Sequence, residues 1–255
     1  MKYRVLGPLG VLDGDTAVTI GARKMEIALA ALLLRANQIV STRQLITEIW
    51  DESPPPRARS AVHVYISQLR KLLARPGQDN PIVTRPSGYL LLVRPGELDS
   101  RVFEGLVRQG RELMADRQRE AACAVLDEAL ALWTGPVLDQ LLNGPIVRGF
   151  VPPMEELHLE CIEMRVEASL QLGRHREVVS SLYGLIADHP LHEVFYSQLM
   201  RALCSSDRRG DALRVYRTAW EVLDRELGLE PGPKLRELQR AVLVPGETGR
   251  LRVAV

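Results

Sequence analysis

The residues best suited to chemistry lie between Arg57 and Leu73, in the stretch RARSAVHVYISQLRKLL. At helical period Val62, Ile66, Leu69 and Leu73 recur at i, i+4, i+7 and i+11, an apolar stripe that faces a core. The rest of the surface carries Arg57, Arg59, Ser60, His63, Tyr65, Ser67, Gln68, Arg70 and Lys71, and no Asp or Glu. Guanidinium and ammonium groups neutralise phosphates. Hydroxyl and amide groups reach base edges in a major groove wide enough to admit a helix. A merely solvated helix face mixes Glu with Lys and Arg to gain i,i+4 pairs, and this one does not. The chemistry these residues suit is binding of double-stranded DNA.

The elements that must position this helix can be read on either side of it. Tyr3–Leu6, Gly10–Leu12 and Ala17–Ile20 read as short strands, and Ala22–Ala36 as a helix apolar on most sides, hence core. After the brief extended Ile39-Val40, Ser41 and Gln44 fit a capping box opening a helix with the stripe Leu45, Ile46, Ile49 and Trp50. Three consecutive prolines keep Asp51, Glu52, Ser53, Pro54, Pro55 and Pro56 out of any helix, so this is a rigid loop. Past the basic helix, which Pro76-Gly77 ends, Ile82–Arg85 and Tyr89–Val93 are strands joined by Pro86-Ser87-Gly88, a β-hairpin. Strands, three helices and a terminal hairpin describe a winged helix-turn-helix.

The segments NQIVSTRQLITEIW, SAVHVYISQLRKLL and VTRPSGYLL resemble, in order and spacing, the DNA-binding domain of OmpR-type response regulators. The resemblance implies that His63, Val64, Ser67 and Gln68 face bases, and that Ser60, Tyr65 and Arg70 face phosphates. It implies too that Arg85 enters the minor groove from the wing, that Tyr89 beside Gly88 on that wing is also at the DNA interface, and that Trp50, the aromatic ending the positioning helix, is there as well. This sequence has Ser67-Gln68 where many relatives carry two Arg, a departure that bears on base preference and not on docking mode. The loop Asp51–Pro56 takes the place of the loop that touches RNA polymerase in such activators. No receiver segment stands ahead of the first strand, so two-component signalling is not expected.

Composition supports a division in two. The chain has 255 residues and a formal net charge of +1. Residues 1–95 hold 13 Lys and Arg against 7 Asp and Glu, whereas residues 96–255 hold 20 against 25. A basic front and an acidic back favour nucleic acid as partner of the first part. We therefore read residues 1–95 as the DNA-binding domain and 96–255 as a second, helical one. In the latter, Glu177-Val-Val-Ser-Ser-Leu-Tyr and Asp211-Ala-Leu-Arg-Val-Tyr lie 34 residues apart, each after a Gly173-Arg174 or Asp207-Arg208 turn. Glu120-Ala-Ala-Cys-Ala-Val-Leu after Asp116-Arg117 is an irregular third copy. This is the period of tetratricopeptide helix pairs, in degenerate form. Thr134–Gly149 reads as looser, and Pro152-Pro153 as the start of a helix over Met154–Leu172.

A winged helix followed by helical repeats and the tail LDRELGLEPGPKL resembles the Streptomyces antibiotic regulatory protein family over residues 3 to about 243. The short length is similar to its standalone pathway-specific members. The resemblance implies a bacterial transcriptional activation domain in the second half, and a side-by-side homodimer on direct repeats near a promoter. It implies further that the dimer recruits RNA polymerase holoenzyme to an antibiotic or secondary-metabolite gene cluster. The expected fold class is mainly α with a small β component.

Other classes find little support. His189 and His192 flank Pro190 and do not make a zinc site. There is no GxxxxGK[ST], GxSxG, HExxH or GxGxxG, so neither catalysis nor a cofactor is expected. Cys123, Cys161 and Cys204 stand far apart as helix-core residues of a reducing compartment. No apolar run reaches a membrane span and no signal peptide is present, which points to the cytoplasm. Two alternatives from other classes are a repeat-based interaction scaffold and a regulator gated by a small ligand.

Overall fold

The computed structural model describes residues 1–139, 141 and 144–244. Gln140, Leu142 and Asn143 of the stretch read as looser, and residues 245–255, lie outside the described residues. The fold is mainly helical with two small antiparallel sheets.

Strands β1 (Lys2–Arg4), β2 (Gly10–Asp13) and β3 (Thr16–Ala17) form the first sheet in that order. Tyr3 opposite Val11 puts both side chains in the core. β3 is Thr16–Ala17 and not the expected Ala17–Ile20: Ala17 pairs with Leu12 and Thr16 with Asp13, and beyond them the Val18 N–H still donates to Val11 O at 2.9 Å. α1 (Arg23–Leu34) buries every residue from Ile27 to Leu33, the all-round apolarity expected of a core helix. β4 (Ile39–Ser41) leads into α2 (Thr42–Trp50) through the expected capping box. Gln44 N–H donates to Ser41 Oγ at 3.1 Å, and Ser41 N–H to Gln44 Oε1 at 2.9 Å. α3 (Ala58–Leu72) follows, then β5 (Ile82–Arg85) and β6 (Gly88–Leu91), which pair with β4 in the order β4-β6-β5. Gly88 lies hard against β4: a Cβ there would come 2.1 Å from Val40 O, so the sheet closes only around a residue without one.

The remaining helices are α4 (Asp99–Ala115), α5 (Arg119–Leu130), α6 (Pro145–Gln171), α7 (His175–Asp188), α8 (Glu193–Ser205), α9 (Arg209–Leu227) and α10 (Pro233–Leu243). The chain divides into two compact units, one of Met1–Arg108 with Glu128–Leu159, the other of Gln109–Asp127 with the residues from Glu160 onward.

In the first unit, Asp99 binds the end of β1. Its carboxylate accepts from Val5 N–H (2.8 and 3.0 Å) and Leu6 N–H (3.0 Å), and burial pushes the group above the usual carboxylate range against these donors. Thr134 N–H donates to Leu6 O at 2.8 Å and Leu138 N–H to Val5 O at 3.0 Å. Glu48 of α2, wholly buried, accepts from Ile146 N–H (2.8 Å) and Val147 N–H (3.0 Å) in the first turn of α6. This overturns the expected helix start at Pro152-Pro153: α6 begins at Pro145 and carries both prolines inside it. Proline in the first turn is a local preference, whereas a carboxylate on the free N–H groups of an earlier turn is a tertiary cap that outweighs it.

In the second unit α7 packs on α8, α8 on α9, and α10 against both α8 and α9. Three helix-ending turns share one geometry. Arg117, Gly173 and Asp207 have positive φ of 59°, 76° and 60°. The N–H of the next residue reaches back to Leu113 O, Ser169 O and Leu203 O at 2.9, 3.0 and 2.9 Å. The degenerate repeats are therefore a structural repeat. Arg201 grips Glu167 with two hydrogen bonds of 2.6 and 3.0 Å, and Arg111 grips Glu160 with two of 2.6 Å.

Candidate nucleic-acid interface

The apolar stripe of α3 is buried as its spacing requires: Val62, Ile66, Leu69 and Leu73 are all 2% exposed or less. Each contributes on the order of 2 kcal/mol by leaving water, and together they fix which face of α3 looks outward. That outward face carries Arg59, Ser60, His63, Val64, Ser67, Gln68 and Lys71, all exposed, with Arg57 at the N-cap. Val64, 51% exposed, is a large apolar group held in solvent in the middle of a polar face. Such a group suits contact with a thymine methyl. Arg70 and Lys71 in the last turn also complement the helix dipole.

The hairpin stands beside this face. Arg85, Pro86 and Ser87 at its tip are exposed. Arg70 fixes the hairpin to α3. Its Nε donates to Ile82 O at 3.0 Å and its Nη2 to Thr84 Oγ1 at 2.7 Å, while Asn80 Nδ2 donates to Arg70 O at 2.7 Å. Two of the five donors of Arg70, expected at a phosphate, are thus engaged with β5. Tyr89, expected at the interface, is 4% exposed; its hydroxyl lies 2.8 Å from His63 Nδ1 and its ring 6.0 Å beneath the Arg70 guanidinium. Its place is under the recognition face, not on it.

Trp50 ends α2 with its ring stacked 6.1 Å from Tyr65 and the Lys24 ammonium 5.1 Å above it. The indole Nε1 is buried, so this aromatic sets how α2 meets α3 and does not offer its N–H outward. The loop Asp51–Pro56 that follows is exposed throughout. Asp51 turns the chain with a positive φ of 54°, and Ala58 N–H donates to Pro55 O at 2.9 Å to start α3. Sequence reasoning placed all these elements but missed Glu48, whose carboxylate braces α2 from behind; a Glu at a position of α2 that turns inward was the available signal.

A positioning helix, an exposed basic helix without carboxylates and a wing clamped to it define a winged helix-turn-helix regulator of the OmpR type. The family descriptions that match agree: "Transcriptional regulatory protein, C terminal" over residues 15–91 and "Bacterial transcriptional activator domain" over residues 98–243. The chain belongs to the Streptomyces antibiotic regulatory protein family, which joins these two domains. It is 34% identical over 251 residues to the regulatory protein DnrI of Streptomyces peucetius, covering 95% of this chain and 92% of that one. It is 36% identical over 245 residues to the transcriptional regulatory protein EmbR of Mycobacterium tuberculosis. The solved structure of EmbR in complex with a low affinity phosphopeptide superposes with a TM-score of 0.91 at 33% identity, covering 99% of this chain and 68% of that one. The chain spans 63% of the length of its curated EmbR relatives.

Proposed function

We propose that this protein is a sequence-specific DNA-binding transcriptional activator of an antibiotic or secondary-metabolite gene cluster, acting in the cytoplasm and not as an enzyme. It binds direct repeats near a promoter as a side-by-side homodimer. There it recruits RNA polymerase holoenzyme, with the exposed loop Asp51–Pro56 as the polymerase contact. One observation carries the DNA reading: the exposed face of α3 presents Arg59, His63, Val64, Ser67, Gln68 and Lys71 with no carboxylate, beside an exposed Arg85 on the wing. Arg57, Arg59 and Lys71 supply phosphate contacts, and His63, Val64, Ser67 and Gln68 read bases.

The test is binding of the purified protein to promoter DNA carrying direct repeats and to scrambled DNA, across a salt series. A preference of about 10³ or more with one repeat per protomer is expected. Equal, steeply salt-dependent affinity for both would mean phosphate contact alone and would overturn the reading.

A further inference from the structure

Resting on the DNA-binding reading above, we infer that Tyr89 is a positioning residue for base recognition: it holds the His63 imidazole so that Nε2–H points outward, and His63 reads a hydrogen-bond acceptor.

Tyr89 is on β6 and His63 on α3, so the contact crosses from wing to recognition helix. The two rings meet edge to face, with centroids 6.2 Å apart and planes at 79°. Tyr89 Oη lies 2.8 Å from His63 Nδ1, the hydrogen bond that this hydroxyl makes among the described residues. On a side chain only 4% exposed, the hydroxyl needs an acceptor for its proton. If Nδ1 carried a proton and donated it, the Tyr89 hydrogen would be left without a partner in the fold. The phenol therefore donates, Nδ1 accepts, and the proton of the neutral imidazole sits on Nε2. Were the ring to become a cation, Nδ1–H would donate to Tyr89 Oη and Nε2 would still carry its proton. The arrangement excludes only the tautomer in which Nε2 accepts.

Two further contacts keep the phenol in place. Arg70, bonded to Ile82 and Thr84, holds its guanidinium 6.0 Å over the Tyr89 ring, and Gly88 seats β6 against β4 with no room for a side chain. His63 is itself exposed, so the nitrogen remote from Tyr89 is free to meet DNA. A fixed donor there complements guanine O6 and N7, adenine N7 or thymine O4, and opposes the cytosine amino group. The wing strand thus decides what the recognition helix reads at one base pair.

The experiment uses the full chain and Tyr89→Phe, which keeps the ring and removes the hydroxyl. Nitrogen NMR of the His63 ring in the free wild-type protein should show Nδ1 unprotonated and Nε2 protonated at neutral-to-alkaline pH, and Tyr89→Phe should mix the two tautomers. On promoter DNA the variant should lose about ten-fold in preference at one base pair, with an unchanged salt slope; His63→Ala should lose preference at the same pair, and the double variant no more. A wild-type ring with its proton on Nδ1 overturns the inference, as does a Tyr89→Phe variant with unaltered ring nitrogens or unaltered base ranking in a protein that does discriminate. Wild-type protein that binds promoter and scrambled DNA alike sinks the functional reading instead, and the ring nitrogens still decide the tautomer.

Discussion

Glu48 and Ile146, 98 positions apart, are joined by a 2.8 Å hydrogen bond from a backbone N–H to a carboxylate that solvent does not reach. The second carboxylate oxygen takes Val147 N–H at 3.0 Å. The charge is placed where the free N–H groups and the dipole of α6 offset the cost of burying it. Gly144 makes the approach possible, since a Cβ there would stand 2.1 Å from the Glu48 carboxyl carbon.

Glu48→Gln should therefore destabilise the protein by about 2–3 kcal/mol, because an amide NH₂ faces a helix N–H in place of an acceptor. Gly144→Ala should cost a comparable amount by displacing the carboxylate. Urea unfolding followed by circular dichroism measures both; a Glu48→Gln variant as stable as wild type would mean that desolvation cancels the cap.

Arg59 and Arg70 should part company in DNA binding. Arg59 is exposed and, among the described residues, makes no hydrogen bond or ion pair, so Arg59→Ala should weaken binding to all sequences and reduce the salt slope by about one. Arg70 commits its Nε and Nη2 to Ile82 and Thr84, so Arg70→Ala should weaken binding chiefly by loosening the wing and change the slope by less than Arg59→Ala does. A slope change of about one for Arg70→Ala would restore it to the phosphate contacts.

Gln68, exposed on α3, has an amide that can donate and accept at one base edge. Gln68→Ala should cost roughly 1–3 kcal/mol on the preferred site and alter preference at one position. Binding to a library of single-base variants reads this directly, and an unchanged ranking would show that this side chain faces no base.

Glu167 gives the second unit a signature in acid. Burial raises its pKa, but the hydrogen bonds and charge of Arg201, with help from Gln171 and Gln198, outweigh this and hold it below the ordinary glutamate range. A depressed folded-state value stabilises the protein above the unfolded-state value, and that stability is lost as pH falls through the depressed one. Glu167→Gln should thus cost about 1–2 kcal/mol at pH 7, and its gap from wild type should close as pH drops through and below about 4. Melting temperatures across that range are the check; a gap that does not vary with pH would assign the loss to packing.

What could be read from the residues alone was everything set by local pattern. The stripe Val62, Ile66, Leu69 and Leu73 fixed the buried face of α3, and Ser41 with Gln44 fixed the start of α2. Pro54, Pro55 and Pro56 fixed the loop, and a 34-residue step revealed repeats whose turns share one backbone geometry. Periodicity, capping and proline chemistry act within a few residues, so a linear reading captures them. The start of α6 at Pro145, the ties from Leu138 and Thr134 to Val5 and Leu6, the burial of Tyr89 beneath His63 and the turning of Arg70 onto the hairpin were decided in three dimensions. Each is a hydrogen bond or close approach between groups distant in the chain. A side chain's type shows that it can donate or accept, while only the packed fold determines which partner it finds.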